Sequence, residues 1–462
     1  MQRVISCRFL ICVAIISSVA AVHSEDAPAA AANLPKILDQ AFELGADWKD
    51  LLSGLNDYNL ETAEDTQAVC KAIDSLLERK DLLQPDKSGL FSVALSLTGL
   101  FQNVKKKPAY DVARQQGMPR LEKLFDALYA APEKDTHSIF LILKVLSIYI
   151  TPGGADRVLR AAQDGFHPDS YMWSIVFSQY QTLENPHTKR VFDTLRKKLP
   201  SGFIAVALLV AADEYFTAGG TGVHPFNSPE GHAMLRTWLR STDEKQFSYA
   251  HSATSALLFM EDTVQAELLD AAVKHPDAPV RREAGWVLAK LGREQGIELL
   301  ARECLNVHQS KAAQACLKEL KREDAVPAKC KEPDFLAMAE MSEWLQYPTE
   351  MGRAPDTLEL YDARSLFWPP TGNVRPVWLF KYEYLPKEKG AKTMAGVGMV
   401  GSMTFALFEE TKTGMTPEKV YAMHCSFELE NNHDPRAEKK RTIEGGMAIL
   451  KKYNPGFGDS AK

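Results

Sequence analysis

Residues 277–292 read DAPVRREAGWVLAKLG. Asp277 suits a helix N-cap, and Pro279 suits the first turn, where its missing N–H has no intrahelical partner to lose. Val280, Ala284, Val287, Leu288 and Leu291 then fall at i, i+4, i+7, i+8 and i+11, one apolar face at helical spacing. Gly292 can close the helix in a left-handed conformation, which glycine adopts without a Cβ penalty. A second amphipathic helix follows on Ile297, Leu299, Leu300 and Cys304, and the next opens near Gln309. A short helix, a tight turn and a second helix form a hairpin that cannot bury its apolar flank alone and must stack on neighbours.

Upstream, further first helices are expected to begin near His137, Asp169, Ser201 and Glu244, so that successive starts up to Asp277 lie 32, 32, 43 and 33 residues apart. That near-period, broken once, predicts a solenoid with an insertion rather than a compact bundle. The tripeptide His-Pro-Asp opens two of the units alike, at 167–169 and 275–277. Asp277, Val280, Arg281, Ala284 and Leu288 match the D-x-x-V-R-x-x-A-x-x-x-L core of HEAT repeats, and residues 244–320 resemble a member of that superfamily. Over 33–243 only the periodicity is shared. The resemblance implies an α-solenoid and, for most of the family, a binding or scaffolding role. Some HEAT-type proteins resemble chromophore lyases, but nothing in these residues points to that branch.

The break in the period has content. Residues 216–228 read FTAGGTGVHPFNS, with three glycines and an apolar tip, and a long loop in a compact array needs a reason. Tyr215, His224 and Phe226 are therefore candidate binding residues. The competing reading has Tyr215 and Phe226 simply packing the loop across the groove. Asp213, Glu214, His224 and His232 are metal-ligating residue types, but their spacing matches no zinc pattern, so no metal and no cofactor is assigned.

After the charged linker at 321–333 the period changes. Residues 335–345 read as a helix, with Met338, Met341 and Leu345 able to pack on one face. Strand-like runs follow at 358–366, 377–385, 397–408 and 420–429, with turn-like links at 387–392 and 412–414 and a returning helix within 435–452. The expected fold is thus mainly α: a HEAT-like α-α superhelical solenoid at 35–325, then a smaller α+β domain with an antiparallel sheet at 333–456. Trp-Pro-Pro at 368–370, LFKY at 379–382, GMVGSMTFALF at 398–408 and Tyr421 make this region similar to an uncharacterised domain found behind HEAT-type repeats in bacterial proteins. That resemblance implies no activity.

Three features of the region invite chemistry. Gly396, Gly398 and Gly401 spell G-x-G-x-x-G, but a dinucleotide site needs a helix after the glycines, and residues 402–408 read as strand. Close packing against a helix explains such glycines better. Trp368 heads the rigid segment 368–372, either as an exposed anchor for a partner or as the residue that closes the core at a strand end. His424 stands beside Cys425 in an apolar run; neighbours on a strand point to opposite faces, which favours a buried histidine over a Cys–His catalytic pair. No G-x-S-x-G, H-E-x-x-H, S-x-x-K or phosphate-loop pattern occurs, and no catalytic residue is assigned.

The 462-residue chain is 45% hydrophobic and 25% charged, which excludes wholesale disorder. Residues 1–24 carry Arg3 and Arg8 ahead of a 14-residue uncharged run at 9–22 and read as a secretory leader, with a tether at 25–34. Without the leader, 52 basic side chains face 60 acidic ones, a balance of −8 that argues against nucleic acid as a partner. No later apolar run is long enough to span a bilayer, so a mature, secreted or periplasmic chain that does not cross the membrane is expected. Five cysteines then remain, Cys70, Cys304, Cys316, Cys330 and Cys425, and an odd number leaves at least one thiol free or intermolecular. Cys304 and Cys316, on neighbouring helices, are one candidate pair; buried unpaired thiols are the other reading. The functional expectation is an exported, non-enzymatic scaffold that binds a protein of the cell envelope through the solenoid groove and the C-terminal sheet. The alternatives are an exported enzyme, such as a hydrolase, or a small-ligand sensor, with a site at the 216–228 loop.

Overall fold

The computed structural model describes residues 34, 38, 55, 58–79, 90–386, 390, 392–408, 411–437 and 441–459. The expected leader, all of the tether but Leu34, and most of the link at 387–392 lie outside the described residues. Residues 22–275 and residues 276–462 form two compact units.

The first unit is built from α1 (Ala63–Glu78), α2 (Leu90–Gly99), α3 (Lys107–Val112), α4 (Met118–Tyr129), α5 (Thr136–Ile148), α6 (Pro152–Gln163), α7 (Met172–Phe177), α8 (Thr188–Arg196), α9 (Gly202–Thr217), α10 (Pro229–Leu239), α11 (Phe247–Ala256) and α12 (Asp262–Val273). The starts expected near His137, Asp169, Ser201 and Glu244 fall at Thr136, Met172, Gly202 and Phe247, the last after a 3-10 turn at Glu244–Gln246. Helices α5, α7, α9 and α11 pack in succession as one layer; α4, α6 and α8 do so in a second layer, as does α10 with α12. Alternate helices thus stack on one another, as hairpins with a shared apolar flank must. Polar side chains fix the starts: Asp135, Thr151 and Ser228 accept the N–H groups of Ser138, Gly154 and Gly231 at 2.6, 3.0 and 3.2 Å.

The second unit opens with α13 (Ala278–Lys290), α14 (Glu294–Cys304), α15 (Ser310–Glu319) and α16 (Pro333–Gln346). Asp277 holds the N-cap position of α13, Val280, Ala284, Val287 and Leu288 are buried, and Gly292 follows the helix at φ 75°. The buried face is wider than the sequence suggests, because Gly285 and Gly296 let α13 and α14 touch backbone to backbone. A Cβ on Gly296 would stand 2.4 Å from the Gly285 carbonyl oxygen.

A four-stranded antiparallel sheet follows in the order β1 (Thr357–Trp368), β2 (Asn373–Tyr384), β3 (Met394–Val400), β4 (Phe405–Ala406). Its period of two sorts side chains to opposite layers. Val377, Leu379, Val397 and Met399 join a core with α17 (Pro417–Asn431) and α18 (Ile443–Tyr453), while Phe380, Tyr382, Tyr384 and Val400 pack with Met341 and Leu345 of α16. Two strand expectations need correction. Residues 397–408 are not one strand: β3 stops at Val400 and pairing resumes only at Phe405. Residues 420–429 are not a strand at all but the middle of α17, a helix buried on nearly every side between the sheet and α18. The glycines at 396–401 lie in and just after β3, which pairs with β2, and a Cβ on Gly398 would sit 2.6 Å from the Met341 methyl. Gly398 thus admits a helix, as expected of a glycine in a strand, whereas Gly396 and Gly401 make room for Tyr382 and Val377 of β2.

Candidate functional site

Helix α9 ends in an aromatic and acidic turn, and the chain that leaves it is pinned from below. Gly219 and Gly222 adopt φ 93° and 123°, which other residues resist. Between them Gly220 passes flat over Tyr215, whose ring would lie 2.2 Å from any added Cβ. Tyr215 itself stands edge-on to Phe192 at 5.6 Å. The chain then dives inward at His224 and Phe226, both buried. The His224 Nε2–H donates to Asp213 at 3.1 Å, and Nδ1 accepts the N–H of Phe226 at 3.3 Å. Its ring lies parallel to Phe259, with centroids 5.6 Å apart.

That pattern fixes one neutral tautomer. Burial pushes the imidazole down to about 3. A second proton would have to sit on Nδ1, facing the N–H it now accepts. Asp213 and His224 are therefore a strut between α9 and the loop. His232 is directed elsewhere: its Nε2–H donates to Asn227 at 2.9 Å. Among the described residues no three His, Cys, Asp or Glu side chains converge to hold a metal ion.

Of the four candidate binding residues, the fold brings together Tyr215, His224 and Phe226, all as anchors beneath the loop rather than as surface. What they present is the stretch 217–223, exposed except for the half-buried Gly220 and ending in Val223 at 44% exposure. The sequence shows three glycines there but not which residues point outward, because that depends on the Asp213–His224 contact eleven residues apart.

Trp368 belongs to the other unit and is fully buried. It closes the core at the end of β1, and the exposed-anchor reading does not fit its place. Its Nε1–H donates to Glu428 Oε2 at 2.8 Å, and the Ser402 hydroxyl donates to the same oxygen at 2.5 Å. The sequence reading missed Glu428, since a strand over 420–429 gives no reason to bury it. One turn earlier on α17, His424 is also buried. Burial raises the Cys425 thiol, so the adjacent pair lacks the activated thiolate that Cys–His catalysis requires.

No family model matches this chain. No curated protein matches it either.

The Glu428 carboxylate carries a stability prediction. Glu428→Leu orphans the buried Trp368 indole N–H and the half-buried Ser402 hydroxyl and is expected to destabilise the second unit by about 2–4 kcal/mol, whereas Glu428→Gln, which keeps an acceptor, loses about half as much. Urea unfolding of both variants measures the difference. Equal losses would mean that a neutral acceptor does not substitute for the carboxylate there.

Proposed function

We propose that the chain is an exported, non-enzymatic binding protein whose helical unit is a HEAT-type solenoid. It takes hold of a protein partner in the cell envelope through the largely exposed stretch 217–223. The observation that carries this reading is the contrast within one loop: an exposed, small-residue tip ending in Val223, mounted on the buried Tyr215, His224 and Phe226. A loop held from below by a hydrogen-bonded strut loses little conformational freedom when it docks, so modest contact area suffices. Asp213 and His224, which an enzyme or sensor at this loop would draw on, are buried and bonded to each other.

The test is comparative capture. The full-length chain, expressed in a bacterial host and recovered from its envelope fraction, is expected to begin at Glu25 and to retain a defined partner. Val223→Asp, which alters only an exposed side chain, is expected to reduce that capture at least tenfold with an unchanged melting temperature. Equal capture by both proteins, or an intact N-terminus in the cytosol, contradicts the proposal.

A further inference from the structure

Three of the five cysteines expected outside the leader meet in the second unit. Cys304 is the last residue of α14, Cys316 lies in α15, and Cys330 lies in the 3-10 segment Ala328–Lys331. Cys304 and Cys330 are fully buried in one apolar cluster with Ile297, Leu300, Leu317 and Val326, and the half-buried Cys316 packs against its edge. The Cys330 Sγ–H donates to the carbonyl oxygen of Cys304 at 3.1 Å. Both Cys330 and Cys316 act on the Cys304 thiol, Cys330 the more strongly, and Cys330 also reaches the Cys304 backbone, which favours it over Cys316, the partner that helix adjacency in the sequence suggests.

We propose that Cys304 and Cys330 are joined by a disulfide when the chain folds in an oxidising compartment, with Cys316 outside that bond. The oxidant is a small or protein disulfide of the glutathione or thiol-oxidoreductase class. One cysteine thiolate attacks the donor disulfide and releases one donor thiol; the second cysteine resolves the mixed disulfide and releases the other. Two cysteine protons and two electrons pass to the donor, and one S–S bond replaces another. The bond would close a loop around α15 and tie the end of α14 to the segment that leads into α16. Timing follows from burial, which comes first among the causes that push the Cys304 thiol up to about 12, ahead of its sulfur neighbours, and which raises Cys330 as well. Neither is a competent nucleophile once packed, so exchange belongs to folding, and the finished bond is then shielded from reductants.

The experiment uses the full chain, denatured, reduced and refolded in a buffer of reduced and oxidised glutathione, then alkylated and digested with trypsin without reduction. Cleavage after Arg302, Lys311, Lys318, Lys329 and Lys331 places each cysteine on its own peptide. The expected result is peptide 303–311 joined to peptide 330–331, with 312–318 outside that linkage. The oxidised protein should melt about 5–10 °C above protein refolded with dithiothreitol, and Cys330→Ser should lose that difference. Peptides 303–311 and 330–331 both found alkylated, or 303–311 joined to 312–318, would overturn the proposal. Should Cys330→Ser fail to fold, the peptide map of the unmodified chain decides alone.

Discussion

Gly446→Ala is expected to lower the melting temperature of the second unit by about 10 °C, the equivalent of about 3 kcal/mol for a unit of this size. Gly446 lies in the first turn of α18, where the Thr442 hydroxyl accepts the N–H of Gly445 at 3.0 Å. An added Cβ would stand 1.8 Å from the carbonyl oxygen of Ala422 and 3.0 Å from its Cα. Both are backbone atoms of α17, so no side chain can swing aside, and α18 would have to retreat as a body. Leu450 and Phe457, which share the core beneath the sheet, would lose contact with it. Alanine's better helix propensity returns only about 1 kcal/mol. Gly414→Ala is the control, because nothing lies within 4 Å of its Cβ position, and it should be neutral or slightly stabilising. Equal melting temperatures for the two variants would show that α18 is not held against α17 in solution.

The same packing explains what the sequence concealed. Helix α13 was legible because its two sides differ: Val280, Ala284 and Leu288 face inward, while Arg281 and Lys290 reach carboxylates of Glu303 and Glu319 at 3.1 and 2.9 Å. Helix α17 has no such contrast. Val420 through Ser426 are all buried, together with Glu428 and Leu429, so the 3.6-residue period has no polar face on which to show. Its aromatic and branched residues then read as strand. The remaining signal lay outside the run: Thr416 at the N-cap, Pro417 in the first turn and Glu418 beside it are a helix start. Reading the run as a strand also set His424 and Cys425 on opposite faces, whereas consecutive helical residues stand about 100° apart, and here both are buried. The loop at 216–228 was legible as an insertion, since it breaks a period. Its inner and outer residues were not, since an anchor formed with Asp213 is a tertiary fact.

Acidification from pH 7 to pH 4.5 is expected to cost each unit about 3 kcal/mol through one histidine apiece. The causes differ in detail. His224 is buried with both nitrogens committed, Nε2–H to Asp213 and Nδ1 to the Phe226 N–H, so a proton would break a bond already made. His424 is buried edge-on to Phe405 at 4.6 Å, and only the Val397 backbone offsets its desolvation, so a proton would bring a poorly compensated charge into the core. Burial holds both down to about 3, with the Val397 backbone acting in the opposite, lesser sense at His424. In the unfolded chain each returns to about 6.5. Between those values the unfolded state binds more protons, so stability is complete above pH 6.5 and falls by up to about 1.4 kcal/mol per pH unit per histidine as pH drops toward 3. Burial also lowers His232 in the first unit and His308 in the second, which deepens the same limb. His424→Met isolates one contribution, because it fills a similar volume with an apolar side chain in an apolar site. Urea midpoints measured for the second unit's transition at pH 7 and pH 4.5 should move less in this variant than in the unsubstituted chain. An identical shift would mean that His424 is hydrated in solution, and that α17 does not cover it as tightly as its packing against the sheet implies.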